Sequence, residues 1–268
     1  MSIPVADHDA ATERAERERQ WHDHRFSHNA GRGVAIRSLT GDMTRAALSR
    51  AFMAAKPLCI DKHVLDYGCS FGKGSLLFRS FGATSVEGID ISPVAVAGAT
   101  RAAEEAGVTG VRFQVMNAEA LDFPDASFDF VFGVAILHHL DLDTACAEIA
   151  RVLRPAGTAV FLEPMGHNPF INLVRRATPA DRTEDEHPLL DRDFAVLRRH
   201  FDTVGTEHLN LLTLLTAPLI GVPGREPLRR ALEAADRRLL RAVPGMGKYA
   251  WNVLLRMSGP KPAAPTGA

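Results

Sequence analysis

The chain has 268 residues, 46% of them apolar and 24% charged, enough for one large α/β domain with insertions or one domain plus a small appendage. Lys and Arg total 31 against 32 Asp and Glu, a formal net charge of -1, so no overall basic field draws a polyanion and a nucleic-acid partner is not expected. Cys59, Cys69 and Cys146 lack C-x-x-C spacing and read as free thiols; since positions 1–11 show no basic region leading into an apolar core, a cytoplasmic location is expected.

The first element is a charged helix over 12–25. Glu13 and Arg17, Arg14 and Glu18, and Glu16 and Gln20 stand four residues apart, which puts each pair on one helix face and makes a solvated surface helix the plain reading. His22-Asp23-His24 with His28 has metal-binding residue types but no supporting cluster, so no metal is expected. Residues 1–58 together are expected to form an N-terminal helical cap on a domain running from 59 to 258.

That domain should hold strands near 63–66, 85–90, 111–116, 128–134 and 158–163. Helical patterns separate them, the alternation that builds a parallel sheet through crossovers. Val64-Leu65-Asp66 runs into Gly68, Gly72 and Gly74, where a missing Cβ lets the backbone approach a bound molecule. The helix expected over 75–81 aims its first N–H groups at that molecule. Asp90 ends the second strand about 20 residues beyond the turn, where a carboxylate accepts hydrogen bonds from a ribose diol. Asn117 ends the third, placing an amide to read an adenine edge, and the fourth runs into His138-His139. A nicotinamide or flavin site also uses a glycine turn and a later acid. Here, however, Asp66 would repel a pyrophosphate, and the glycines miss the G-x-G-x-x-G spacing. Ser92 caps and Pro93 opens a helix over 93–106, and a packing helix covers 143–153.

Beyond the fifth strand, residues 163–169 lead into a short helix over 170–176. Ligands of open α/β sheets bind past the carboxyl ends of the strands. Glu163, His167, Asn168 and Arg175 are therefore expected to line an acceptor pocket, with Arg176 adding charge for an anionic acceptor. Arg182, Glu184, Asp185, Glu186 and His187 continue the polar run. A helix over 191–200, a strand over 203–209, an apolar stretch, a basic helix over 228–243 and a strand over 251–257 follow. The proline-rich tail 259–268 is expected to be disordered. The apolar stretch 209–220 is too short to span a bilayer. Insertions at about 164–190 and 210–248 thus read as pocket lids, the second also as a homodimer face, in preference to a membrane-surface element.

Taken in order, Asp66-x-Gly68-x-Ser70-x-Gly72, Asp90, Asn117-Ala118, Phe128-Asp129-Phe130-Val131 with Leu137-His138-His139-Leu140, and Leu153-Arg154-Pro155-Ala156-Gly157 resemble the class I S-adenosylmethionine-dependent methyltransferases over roughly residues 60 to 165. Ser70 departs from the family pattern, which has glycine there. The resemblance implies an α/β, Rossmann-like fold: a mostly parallel seven-stranded sheet with helices on both faces, an N-terminal helical lid and a C-terminal helical insertion. It implies S-adenosyl-L-methionine as cofactor, held by Asp66, Gly68, Cys69, Ser70, Gly72, Asp90, Ile91, Asn117, Ala118 and Val134. An N-terminal segment would fold over it, with Trp21, His22, His24 and Phe26 facing the substrate. His138 or His139 would act as general base, since an imidazole titrates near neutrality. The expected reaction is methyl transfer to a small molecule, at oxygen or nitrogen, with a carboxylate or a natural-product intermediate as the acceptor type. Cyclisation or cleavage of the cofactor with release of methylthioadenosine stays open, as does binding without turnover.

Overall fold

Short apolar runs separated by helix-length segments pair through crossovers, and the sheet they build is parallel. The computed structural model describes residues 5–27, 34–178, 183, 186–219 and 222–262, without the side chains of 5–11, 25, 26, 34–40 and 42. Strands β1 (His63–Tyr67), β2 (Ser85–Asp90), β3 (Val111–Val115), β4 (Phe128–Val134), β5 (Leu153–Pro164), β6 (Phe201–Leu209) and β7 (Asn252–Pro260) form one seven-stranded sheet. Their order is β3-β2-β1-β4-β5-β7-β6, and β7 alone runs antiparallel to its neighbours. The expected mostly parallel seven-stranded sheet is therefore the one that forms. Strand order reverses between β1 and β4, the switch point at which open α/β sheets bind ligands.

Helices cover both faces because side chains alternate across the sheet. Leu65, Val131, Ala159 and Phe161 enter one core with Ala145, Cys146 and Ile149 of α5 (Leu142–Val152) and Phe194 and Leu197 of α7 (Asp193–His200). Val64, Phe130, Phe132 and Val160 enter the other with Phe78 of α3 (Lys73–Ser80). This second core also takes Ala47, Ala51, Ala55 and Cys59 of α2 (Val34–Cys59). That four-residue spacing makes a narrow stripe of small side chains, which lets α2 lie close to the strands. Of the two N-terminal helices, α2 thus packs on the sheet, while α1 (Val5–Ser27) lies beside α4 (Pro93–Glu105). Ser92 caps α4 as expected, its Oγ accepting from Ala95 N at 3.1 Å.

Several boundaries differ from the sequence reading, two of them in the strands at the antiparallel side of the sheet. Strand β5 begins at Leu153, which pairs with Phe128 across a register shift in β4. Strand β7 continues to Pro260, opposite Phe201, so Gly259 and Pro260 are strand; positions 263–268 lie outside the described residues. Lys261 N then donates to His200 O at 2.8 Å. No described helix is long and apolar enough to cross a membrane.

The apolar stretch after β6 folds into 3-10 turns at Leu212–Leu219 and is fastened from α8 (Arg225–Ala242). Asp236, 4% exposed, accepts from the N–H groups of Leu211, Leu212 and Thr213 at 3.1, 2.6 and 3.2 Å and from the Thr213 hydroxyl at 2.6 Å. Removing the carboxylate leaves those buried donors unmatched. Asp236→Ala should lower unfolding stability by about 3 kcal/mol, read as a shifted urea midpoint, with Asp236→Asn falling between it and the parent.

Candidate cofactor and acceptor site

The loop after β1 is shaped by close approach. Gly68 N and Cys69 N both donate to Ile89 O, at 2.9 and 2.8 Å, which folds the chain back over β2. Gly68 has φ +79°, and a Cβ there would stand 2.5 Å from Ile136 Cδ1. Ser70, where the family pattern has glycine, also lies in the left-handed region at φ 47°. Its N–H donates to Asp90 Oδ2 at 2.9 Å, while Ser92 N donates to Asp90 Oδ1 at 3.0 Å. One carboxylate at the end of β2 therefore ties both flanking loops. Burial raises the Asp90 carboxyl above its ordinary value, against the pull of those two N–H groups.

Beneath this loop lies Asp66, which is 4% exposed and accepts from Ser75 Oγ at 2.5 Å. Burial pushes its carboxyl up to about 6. Cys69 is 6% exposed, and burial with the nearby Asp66 and Asp90 carboxylates drives its thiol far up, so it is no nucleophile.

A cavity of about 690 Å³ opens beyond the carboxyl ends of β1, β2 and β4. Of the residues singled out from the sequence, Gly68, Ser70, Asp90, Ile91, Asn117, Ala118, Val134 and His139 line it. Asp66, Cys69 and Gly72 shape the loop from behind rather than facing the cavity. Its other walls include Arg14, Glu18 and His22 of α1, with Met116, Glu119, Ile136 and Leu140.

Of these α1 residues His22 was expected to face the substrate, whereas Arg14 and Glu18 escaped the sequence reading because they look like a surface pair. Instead each reaches inward. Arg14 binds Glu119 at 2.6 Å, and Glu119 Oε1 also accepts from Asp141 N. Farther along, Asp23 accepts from the Ser92 hydroxyl and pairs with Arg19 at 3.1 Å. The available signal was the recurrence of Arg14, Glu18 and His22 at four-residue steps, one helix face carrying groups too polar for a core.

The histidines of the 3-10 turn Leu137–His139 divide. His138 is 4% exposed and held by Glu163, Nδ1 to Oε2 at 2.8 Å. Glu163, fully buried, also accepts from Ile136 N and Leu137 N, each at 3.0 Å. It thus braces the turn from beneath and does not face an acceptor. His139 faces the cavity, with Nδ1 3.3 Å from Glu18 Oε2, and His22 Nε2 lies 3.6 Å from the same oxygen. Burial works against the charged forms of both Glu18 and His139; their mutual contact prevails, holding the carboxyl below and the imidazole above the ordinary values.

Other expected acceptor residues stand elsewhere. Asn168 caps α6 (Pro169–Ala177), accepting from Ile171 N, and its amide donates to Tyr249 O at 2.5 Å. His167 Nε2 accepts from Asp191 N at 3.2 Å, and Arg175 lies in the last turn of α6. Trp21 packs edge-on against His22 with ring centroids 4.9 Å apart, outside the cavity wall, and His24 is exposed. The Phe26 side chain, His28, Arg182, Glu184 and Asp185 lie outside the described residues.

Residues 65–161 match the family model described as methyltransferase domain. Among curated proteins, the chain is 36% identical over 110 residues to the O-methyltransferase cnsE of Penicillium expansum, covering 40% of each chain. It is 38% identical over 103 residues to the 27-O-demethylrifamycin SV methyltransferase of Amycolatopsis mediterranei, covering 38% of each. The match thus spans about two fifths of these relatives' lengths. A solved phosphoethanolamine N-methyltransferase 2 of Haemonchus contortus, in complex with phosphomonomethylethanolamine and S-adenosylhomocysteine, superimposes with a TM-score of 0.57. It is 18% identical, over 80% of this chain and 53% of that one, a likeness of fold. The glycine loop, the acidic end of β2 and the sheet order agree with that match, and residues 65–161 are similar to the methyltransferase domain of these proteins.

Proposed function

We propose that this chain transfers the methyl group of S-adenosyl-L-methionine to an oxygen of a small-molecule acceptor. The observation that carries the reading is Asp90 at one end of a covered cavity. Each of its oxygens already accepts one backbone N–H. A carboxylate has about four lone-pair sites, so capacity remains for a ribose diol. Gly68, Ser70, Ile91, Asn117, Ala118 and Val134 would form the rest of the cofactor bed. A relative named as an O-methyltransferase, another named as a 27-O-demethylrifamycin SV methyltransferase, and a fold neighbour holding S-adenosylhomocysteine support the same assignment.

Bound there, the sulfonium would supply an already activated methyl group. The protein's part is then alignment, exclusion of water and disposal of a proton. Helix α1 would act as the lid of the proposed N-terminal cap, excluding water with Arg14, Glu18 and His22 at the wall. Ile136, Met116 and Leu140 would hold an apolar acceptor body. His139 would contact the acceptor hydroxyl and take its proton, with His138 positioning it through the Glu163 brace.

The test is mass spectrometry of purified protein with S-adenosylmethionine and a metabolite extract. Extract-dependent S-adenosylhomocysteine with a product one methylene heavier is expected, whereas methylthioadenosine from the cofactor alone would replace this reading. Asp90→Ala should weaken S-adenosylhomocysteine binding by about 100-fold, the loss of two charge-assisted hydrogen bonds. His139→Ala should leave that affinity within about twofold while turnover falls about 100-fold.

Asp66 makes a pH prediction. Its folded-state carboxyl, at about 6, is raised above the ordinary 3.8, so the folded protein holds the proton more tightly than the unfolded chain does. Its contribution to stability is fully present below 3.8 and is lost as pH rises through 6. The loss approaches about 3 kcal/mol. Asp66→Asn should therefore be more stable than the parent at pH 7.5 and equal to it near pH 4, measured by urea unfolding without cofactor.

A further inference from the structure

We propose that Glu18, His22 and His139 form a binding site for one divalent first-row transition-metal ion on the cavity wall. The first observation is a buried carboxylate whose contacts to His139 and His22, at 3.3 and 3.6 Å, fall short of normal hydrogen-bond geometry. Glu18 is 5% exposed, yet neither of its oxygens accepts a hydrogen bond of normal geometry from the described residues, and His139 Nδ1 is likewise unmatched. A buried charge in that condition is costly unless something else compensates it.

The second observation is the spacing of the donors. His139 Nδ1 and His22 Nε2 stand 3.3 and 3.6 Å from Glu18 Oε2. All three donor atoms lie within 4.8 Å of one another. Ligands about 2.0–2.1 Å from a tetrahedral metal are about 3.3–3.4 Å apart, so the carboxylate already spans two polyhedron edges to the imidazoles. Glu18 and His22 are four residues apart on α1, the step by which one helix face presents two ligands to one ion, and His139 arrives from the turn after β4. Of the His22-Asp23-His24 run, His22 alone is among them.

The surroundings suit a cation. Glu186 approaches His138 Nε2 at 3.9 Å and adds negative charge beside the His139 ring, whose centroid is 4.2 Å from that of His138. The nearby positive group, Arg14, is engaged by Glu119. Two imidazoles with one carboxylate favour zinc, cobalt or nickel over magnesium or calcium, which prefer all-oxygen sites. All three residues face the cavity, so the remaining coordination position opens toward the acceptor. If the methyl-transfer reading holds, a hydroxyl bound there would become acidic enough to lose its proton to water, relieving the His139 imidazole of that task. The binding of the ion does not depend on that reading.

Chelator-stripped full-length protein would be dialysed against Zn2+ and the bound metal counted, with Co2+ absorption reporting nitrogen and oxygen ligation. One Zn2+ per chain is expected, with no uptake of Mg2+. Glu18→Gln and His22→Asn should each weaken Zn2+ binding by about 100-fold. His200→Ala, which removes a half-buried histidine paired with Asp143 at 2.6 Å, away from the cavity, should leave Zn2+ uptake unchanged. Failure of the parent to take up stoichiometric Zn2+, or equal uptake by Glu18→Gln and His22→Asn, would overturn the site. S-adenosylhomocysteine titrated into every variant separates the two proposals: retained affinity with no metal rejects the metal site alone, and absent affinity in the parent counts against the cofactor reading instead.

Discussion

The Asp90 carboxylate sits where two loops must meet, one oxygen on Ser70 N–H and the other on Ser92 N–H. Neither loop has regular structure to hold it. Without that bridge the turn after β1 has no reason to keep Ser70 in a left-handed conformation, which costs an L-residue of order 1 kcal/mol or more. The bridge also sets Ser92, whose hydroxyl then caps α4 and meets Asp23 of α1. One buried acid thus connects the sheet, the cofactor loop, a core helix and the covering helix.

Glu163 acts comparably on the other side of the cavity. It gathers two backbone N–H groups and one imidazole into a fully buried carboxylate. This fixes the 3-10 turn and decides which histidine faces outward. Both acids depend on burial: a carboxylate that accepts several short hydrogen bonds in a low-dielectric site is rigid as well as costly to disturb.

The two N-terminal helices are attached by different physics. Helix α2 is held by a stripe of small apolar side chains against the second core, a contact insensitive to charge. Helix α1 is fastened over the cavity by Arg14, Glu18 and Asp23, each meeting a polar partner. Such contacts are directional and respond to pH, salt and bound ions.

The parallel core and the cofactor loop were legible because their signals are local: apolar runs of strand length, glycines in a turn, and an acid at the end of the next strand. The polar residues at the end of β5 and just beyond it were misread for the opposite reason. Glu163, His167 and Asn168 have the chemistry of a binding pocket, yet each is consumed by a nearby backbone group. Only the path of the chain reveals such demands. Arg14 and Glu18 carried the mirror-image error, since their four-residue spacing permits a surface pair while the fold offers each a partner more than a hundred residues away. By itself, then, the sequence determined the sheet, its switch point and the Asp90 end of the cavity, because secondary structure and turn geometry follow from near neighbours. Tertiary structure alone decided which histidine faces the cavity and that Arg14 and Glu18 of the covering helix turn inward, because a polar side chain goes to whichever unmatched group burial brings within reach.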